Sequence, residues 1–520
     1  MTEPSTDRRA PGPVTRSERN AVVALTMAFV AVCAAWAVLT PVFTVPDEPA
    51  HLNSALRLTD GFSWPAPGEA RMAPEVLAAR DEGDLPADDR SSLGELAERN
   101  EASGVDQMTQ HPPLYYGLAA GVLTVADPED TRADLTLLLL RLAGLVFAVP
   151  LPFLVWSATR RLTGSPRAGV VGAASLLAVP QLAQVLGGVS NDGLTIALCS
   201  VVTWLAVLWM TGDTRRRVLA GLGVALGLAL LTKGTALPFV VFVGIVLTVW
   251  PREATILRRL LTAVATLALA FAVGGWWWLR NLLRFGDVQP SGLAGTRPTK
   301  PWEPGTGPDP VQYLDLFWSR VSVRFWGEFG LLDYPLPEIL TDTLSVLAVA
   351  VVLGYAYTRH PRRLQTVVLS LLPVVVVLML LANTWRHFVR TQLTAGMQGR
   401  YLFVAIVALI AVSAVAWMRC IPADRHRRAG VAVVLGSTFL AVLGPFRQYI
   451  GAYENSLYRV TGDGIGAMLT AAPAGTVGVA TAVVATAVVG TVALVLVVGY
   501  VSRRDGRPRR QRSSPAQGLT

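Results

Sequence analysis

The chain has 520 residues, of which 52% are hydrophobic and only 16% charged, with a net charge of +9. A soluble protein of this length needs a larger charged surface, so the composition excludes a soluble fold. The positive balance does not mark a nucleic-acid binder, because the arginines sit in short clusters between apolar runs.

The leader "MTEPSTDRRAPGPVTRSERN" (1–20) reads as a disordered cytoplasmic segment. The apolar run 21–44 has this basic leader but no well-placed small-residue cleavage site, so it reads as a retained membrane helix. Further spans are predicted near 134–158, 168–186, 193–211, 218–232, 235–250, 260–279, 339–357, 364–382, 401–418, 430–446 and 479–501. The expectation is an all-α integral membrane protein with about twelve helices over 21–501, followed by a disordered basic tail, 502–520. Cys33, Cys199 and Cys420 lie far apart and make neither a metal motif nor a disulfide framework.

Charge sets the orientation. With the N-terminus in the cytoplasm, the inner segments are "RRLTGSPR", "DTRRR", "PREATILRR", "RHPRR", "RCIPADRHRR" and the tail. Together with the leader they carry more than half of all Lys and Arg, as the positive-inside rule requires. The outer side has two long segments, 45–133 and 280–338. The first is acidic over 69–106, which reads as a mobile lobe. It also holds "PPLYYGLAAGVLTVA" (112–126), too short to span and read as an interfacial helix.

On this topology nearly every unusual polar group falls on the outer side. "VPDEPAHLN" (45–53) follows the first span, and its Asp47 and His51 share a face if the segment is helical. Asp47 is either the N-cap of that helix or a general base, and with Glu48 it could ligate a cation. His51 is either a metal ligand or a hydrogen-bonded imidazole. His111 in "QHPPLYY" either stiffens a helix entry or faces a site, and Tyr115 and Tyr116 read as interface-belt aromatics. Asn191 and Asp192 in "SNDG" form a turn, to which chemistry can be added. Lys233, Arg280 and Arg400 either reach lipid headgroups or contact a phosphate; for Arg141, within "LLLLRLAGL", the headgroup reading is favoured.

The ordered set "PDEPAHLNSALRL", "HPPLYY", "SNDG", "LRNLLRFGD", "FWGEFG" and "QGRYLF" resembles the DUF2142 family, and more broadly the GT-C superfamily of integral-membrane glycosyltransferases. The resemblance implies a GT-C-like fold with a long first extracytoplasmic loop. It implies transfer of a sugar from a polyprenyl phosphate to a cell-envelope glycan or lipid acceptor on the outer side, with inversion. It maps the essential acid onto Asp47 with Glu48 as partner, and a second acid onto Asp192. The donor-binding candidates are Lys233, Arg280 and Arg400, with His51, His111, Asn191 and Asn281 as further substrate contacts. A divalent cation such as Mg or Mn, held by Asp47, Glu48 and Asp192, stays open, because superfamily members differ in needing one. The rival readings are a lipid-linked sugar or small-molecule transporter and a non-catalytic scaffold. No soluble-enzyme motif supports a nucleotide-sugar donor.

Overall fold

The structure, a computed structural model, describes residues 12–503 except 60, 62–63, 98–103, 294–298 and 457–458. Most of the leader and of the tail, and part of the acidic segment, therefore lie outside the described residues. Where the leader is described, it departs from expectation. Helix α1 (Arg16–Leu39) begins inside it, with the Thr15 hydroxyl accepting the Glu18 N–H at 3.2 Å. Glu18 is buried there because Arg160 donates to it at 2.7 Å.

Three helices of eight or more residues follow among the described residues of the first long connection, α2 (Glu48–Leu56), α3 (Pro74–Asp81) and α4 (Leu114–Ala126), with one turn of helix at Leu93–Ala97. Then come α5 (Ala133–Thr163), α6 (Pro166–Ala178) and α7 (Pro180–Leu186), α8 (Asn191–Met210), the short α9 (Arg216–Leu230) and α10 (Gly234–Val249), and α11 (Ile256–Phe285). The second half holds α12 (Pro310–Trp326), α13 (Glu338–Tyr355), α14 (Arg363–Thr391), α15 (Gly399–Cys420), α16 (Ala423–Tyr453), α17 (Gly462–Ala471) and α18 (Gly475–Val501). A two-residue antiparallel pair, Glu328–Phe329 with Tyr334–Pro335, links α12 to α13.

Among the described residues, nine of these helices are long and apolar enough to cross a bilayer. The apolar pair α6 and α7, bent by 74° at the break between them, is long enough to count as a tenth. The two remaining predicted spans are α9 and α10. At about 1.5 Å per residue they are roughly 22–24 Å long, shorter than a hydrocarbon core of about 30 Å. Lys233 lies at the break between them.

Burial follows the membrane setting. The α8 window is 83% buried and sits at the centre, whereas those of α13 and α18 are 11% buried. Their outward faces are apolar: Ile339 is 80% exposed and Val477 78%. Apolar surface of that extent suits lipid and not water. The main core gathers Phe29, Trp36, Trp209, Phe239 and Phe403.

The first outer connection has its own core of Phe43, Leu52, Tyr116, Leu123 and Leu137. Where it is described, the acidic stretch has a buried anchor beneath an exposed face. Its Arg90 is buried, donating to Asp134 at 3.0 Å and to the carbonyls of Gly83 and Leu85. Tyr115 and Tyr116 correct a second expectation. Both are buried in this core and not spread along an interface.

Candidate active site

Two close approaches bring the site together. A Cβ on Gly187 would lie 2.7 Å from the Cys33 carbonyl, and one on Gly188 would lie 2.7 Å from Val45. Only glycines let the turn before α8 rest on the end of α1. Likewise a Cβ on Gly399 would lie 2.3 Å from the Phe325 amide, so glycine seats the start of α15 against α12.

The result is a continuous ionic chain. The Lys233 ammonium donates to Asp192 at 2.6 Å. Asp192 Oδ2 is 3.9 Å from Arg400 Nε, and Arg400 Nη2 donates to Asp47 at 2.8 Å. Asp47 is joined on its other oxygen by the Gln107 amide at 3.0 Å. The side chains of Arg400, Asp192 and Lys233 are 7–8% exposed, whereas that of Asp47 is 33% exposed. Asp47 is thus the most exposed member of this chain.

Each open alternative can now be resolved. Asp47 precedes α2 in the left-handed region, at φ 67°, and its side chain makes no cap hydrogen bond. Its carboxylate is committed to Arg400 and Gln107. A non-glycine residue in that region costs on the order of 1 kcal/mol, which aspartate tolerates better than most. At α8 the capping is done by Ser190, whose hydroxyl accepts the Asp192 N–H at 3.1 Å, so Asp192 is free to turn inward. Lys233 and Arg400 are buried, which excludes the headgroup reading for both.

Burial raises the Asp47 carboxyl, but the Arg400 charge, aided by His51 and by the Arg400 hydrogen bond, holds it below the usual carboxylate range. Burial pushes His51 down to about 3, against the opposing pull of Asp47. His111 is depressed in the same way, with Lys233 adding to the effect of burial. Both imidazoles are therefore neutral. The His51 Nδ1 is 3.0 Å from the Tyr116 hydroxyl, to which Asn191 Nδ2 donates at 3.3 Å.

Three predicted residues stand apart. Glu48 is fully buried and saturated: Arg141 grips both its oxygens at 2.7 Å, and the Val189 N–H donates to it at 3.1 Å. Arg141 also donates to the carbonyls of Ala37, Thr40 and Pro41, so it ties together α1, α2 and α5. It is an internal fastener and not a headgroup ligand. Arg280 lies over the Trp277 ring at 4.6 Å and donates to the Asn281 side-chain oxygen at 3.3 Å. Asn281 is buried and donates to the Val288 carbonyl. Among the described residues, no hydrogen bond or ion pair links either of them to the ionic chain.

The carboxylates named for a divalent cation do not fit one. Glu48 is consumed by Arg141, and Arg400 stands between Asp47 and Asp192. Among the described residues, no group of three His, Cys, Asp or Glu side chains is placed to hold a metal ion.

The family model "Predicted membrane protein (DUF2142)" matches residues 30–410. The chain belongs to the DUF2142 family. No curated protein matches it. Solved structures similar to this DUF2142 protein include ArnT from Cupriavidus metallidurans bound to undecaprenyl phosphate, at 14% identity and a TM-score of 0.49, covering 92% of this chain and 72% of that one. The Archaeoglobus fulgidus oligosaccharyltransferase is similar at 15% identity and a TM-score of 0.41, over 81% and 53% of the two chains. The S. cerevisiae protein O-mannosyltransferase Pmt1-Pmt2 complex is similar at 17% identity and a TM-score of 0.38, over 55% and 36%. Likeness at this level does not transfer an activity.

Some site residues of the DUF2142 protein had no role assigned from sequence. Asp106 accepts from Asn53 and Ser54 at 2.7 Å each, and from the Met108 N–H at 2.9 Å. That clamp fixes the neighbouring Gln107 against Asp47. Its signal was an acid directly before "QMTQHPP", hidden within a generally acidic segment. A cleft of about 610 Å³ between α12 and α16, lined by Arg320, Glu328, Phe446 and Arg447 among others, includes none of the candidate residues.

Proposed function

We propose that this protein is a membrane glycosyltransferase that moves a sugar from a polyprenyl-phosphate donor to a cell-envelope glycan or lipid acceptor. The Asp47–Arg400 pair is the observation that carries this reading: an accessible carboxylate held by a buried guanidinium, which a second buried acid–base pair continues. The positive charge of the loops read as inner supports a reaction on the extracytoplasmic face. At this face Asp47 acts as general base. The acceptor hydroxyl attacks the anomeric carbon and gives its proton to Asp47. The bond from anomeric carbon to phosphate oxygen breaks, and the polyprenyl phosphate leaves with the electron pair. Attack opposite the leaving group inverts the anomeric centre.

Arg400 and Lys233 are the groups that meet the charge growing on that phosphate. As the phosphate draws on Arg400, the guanidinium's hold on Asp47 loosens, and the carboxylate becomes a stronger base when it is needed. The reaction needs no nucleotide, because the sugar–phosphate bond already drives it. Mass spectrometry of polyprenyl-linked sugars in a deletion strain tests the proposal. One glycosylated carrier should accumulate while one envelope glycan is lost. Unchanged carriers and glycans would sink the enzyme reading.

A further inference from the structure

Among the described residues, three buried polar atoms in or near the ionic chain have no hydrogen-bond partner: Arg400 Nε, Asn191 Oδ1 and His111 Nδ1. Leaving such atoms unpaired costs roughly 1–3 kcal/mol each, so their concentration at one place calls for a ligand. Tyr116 joins two of the neighbouring groups: its oxygen accepts from Asn191 Nδ2 at 3.3 Å and lies 3.0 Å from His51 Nδ1. The arrangement that gives its proton a partner has Tyr116 donating to His51 Nδ1. A neutral imidazole that accepts at Nδ1 carries its proton on Nε2. His51 therefore offers an N–H donor, and Asn191 keeps a free carbonyl oxygen.

The walls are aromatic. The Trp64 ring is 5.1 Å from the Tyr116 ring, and its indole N–H donates to the His111 carbonyl at 3.1 Å. Tyr115 meets Tyr116 edge-on at 5.3 Å. Spare donors beside spare acceptors suit hydroxyl groups, each of which both gives and takes a hydrogen bond. Charge narrows the choice. Two acids and two bases form the ionic chain, and the cations are already shared among Asp47, Asp192 and an incoming phosphate. With the phosphate bound the site is already net negative, and a second anion would add buried negative charge that no further cation balances, which is costly.

Building on the glycosyltransferase reading, we propose that Tyr116 organises a neutral, aromatic-walled subsite, with His51, His111 and Asn191, that binds the ring of the transferred sugar and selects an uncharged sugar over a uronate. The test measures binding of three probes to the full chain in detergent: bare polyprenyl phosphate, the carrier bearing a neutral hexose, and the carrier bearing a hexuronate. The wild type should bind the hexose carrier about tenfold tighter than either of the others, the worth of one or two good hydrogen bonds. Tyr116→Phe should erase that advantage and leave the affinity for bare carrier unchanged. Equal weakening for bare and hexose-bearing carriers would mean that Tyr116 is merely structural, and a hexuronate bound as tightly as a hexose would remove the selectivity. Either result overturns the proposal while the enzyme reading survives. If Tyr116→Phe fails to fold, Asn191→Ala, which removes the free carbonyl oxygen, is held to the same outcomes. A wild type that binds none of the carriers overturns the enzyme reading and this one with it.

Discussion

Asp47 and Glu48 are adjacent carboxylates, each paired with an arginine, yet they belong to different regions of the molecule. Glu48 is sealed in the protein with every oxygen occupied, and its arginine also closes the end of α1. Asp47 is partly open, and its arginine faces a second acid as well. The first arrangement fixes geometry. The second leaves a carboxylate whose strength depends on what else Arg400 contacts. Pairing alone therefore does not mark a functional acid; the exposure of the carboxylate and the sharing of its partner do.

The sharpest break of this contrast is Glu48→Gln. Removing one member of a buried pair strands the other, at a cost of roughly 3–5 kcal/mol. Thermal unfolding in detergent should show a large fall in Tm, and Glu48→Gln with Arg141→Leu should recover part of it. Lys233→Met comes next. It takes the near partner from Asp192 but leaves Arg400 at 3.9 Å, so the expected loss is about 1–3 kcal/mol, with transfer activity falling further.

A third effect is pH-dependent. The folded-state value of His51 is about 3, against 6.5 unperturbed, so the unfolded chain binds a proton that the folded chain refuses. Stability contributed by neutral His51 is complete above about pH 6.5 and is lost as pH falls toward 3. His51→Gln should flatten the decline of Tm across that window. An unchanged slope would mean that other groups govern it. The smallest effect is expected for Arg280→Ala. Its stack on Trp277 is worth about 0.5–1 kcal/mol, and activity should change only a few-fold. A collapse of activity would bring Arg280 back into the site.

The membrane architecture was legible because a long apolar helix has no other place to go. The convergence of Asp47, Asp192, Lys233 and Arg400 was legible for a related reason: polar groups at the ends of apolar helices share one surface. What could not be read was pairing at long range. Glu48 meets Arg141 only because α5 crosses the end of α1, and no local pattern states that crossing. Tyr116 looked like a belt aromatic because its hydrogen-bond partners come from α2 and α8, far along the chain.

The account rests on Asp47 being the base, and Asp47→Asn in the deletion strain tests that directly. The amide keeps the shape of the carboxylate, and Asp192 remains 3.9 Å from Arg400, so the protein should insert and fold with a Tm that falls less than in Glu48→Gln. The envelope product should nevertheless vanish, and the glycosylated carrier should accumulate as it does without the gene. Normal product from a stable Asp47→Asn protein would contradict the account.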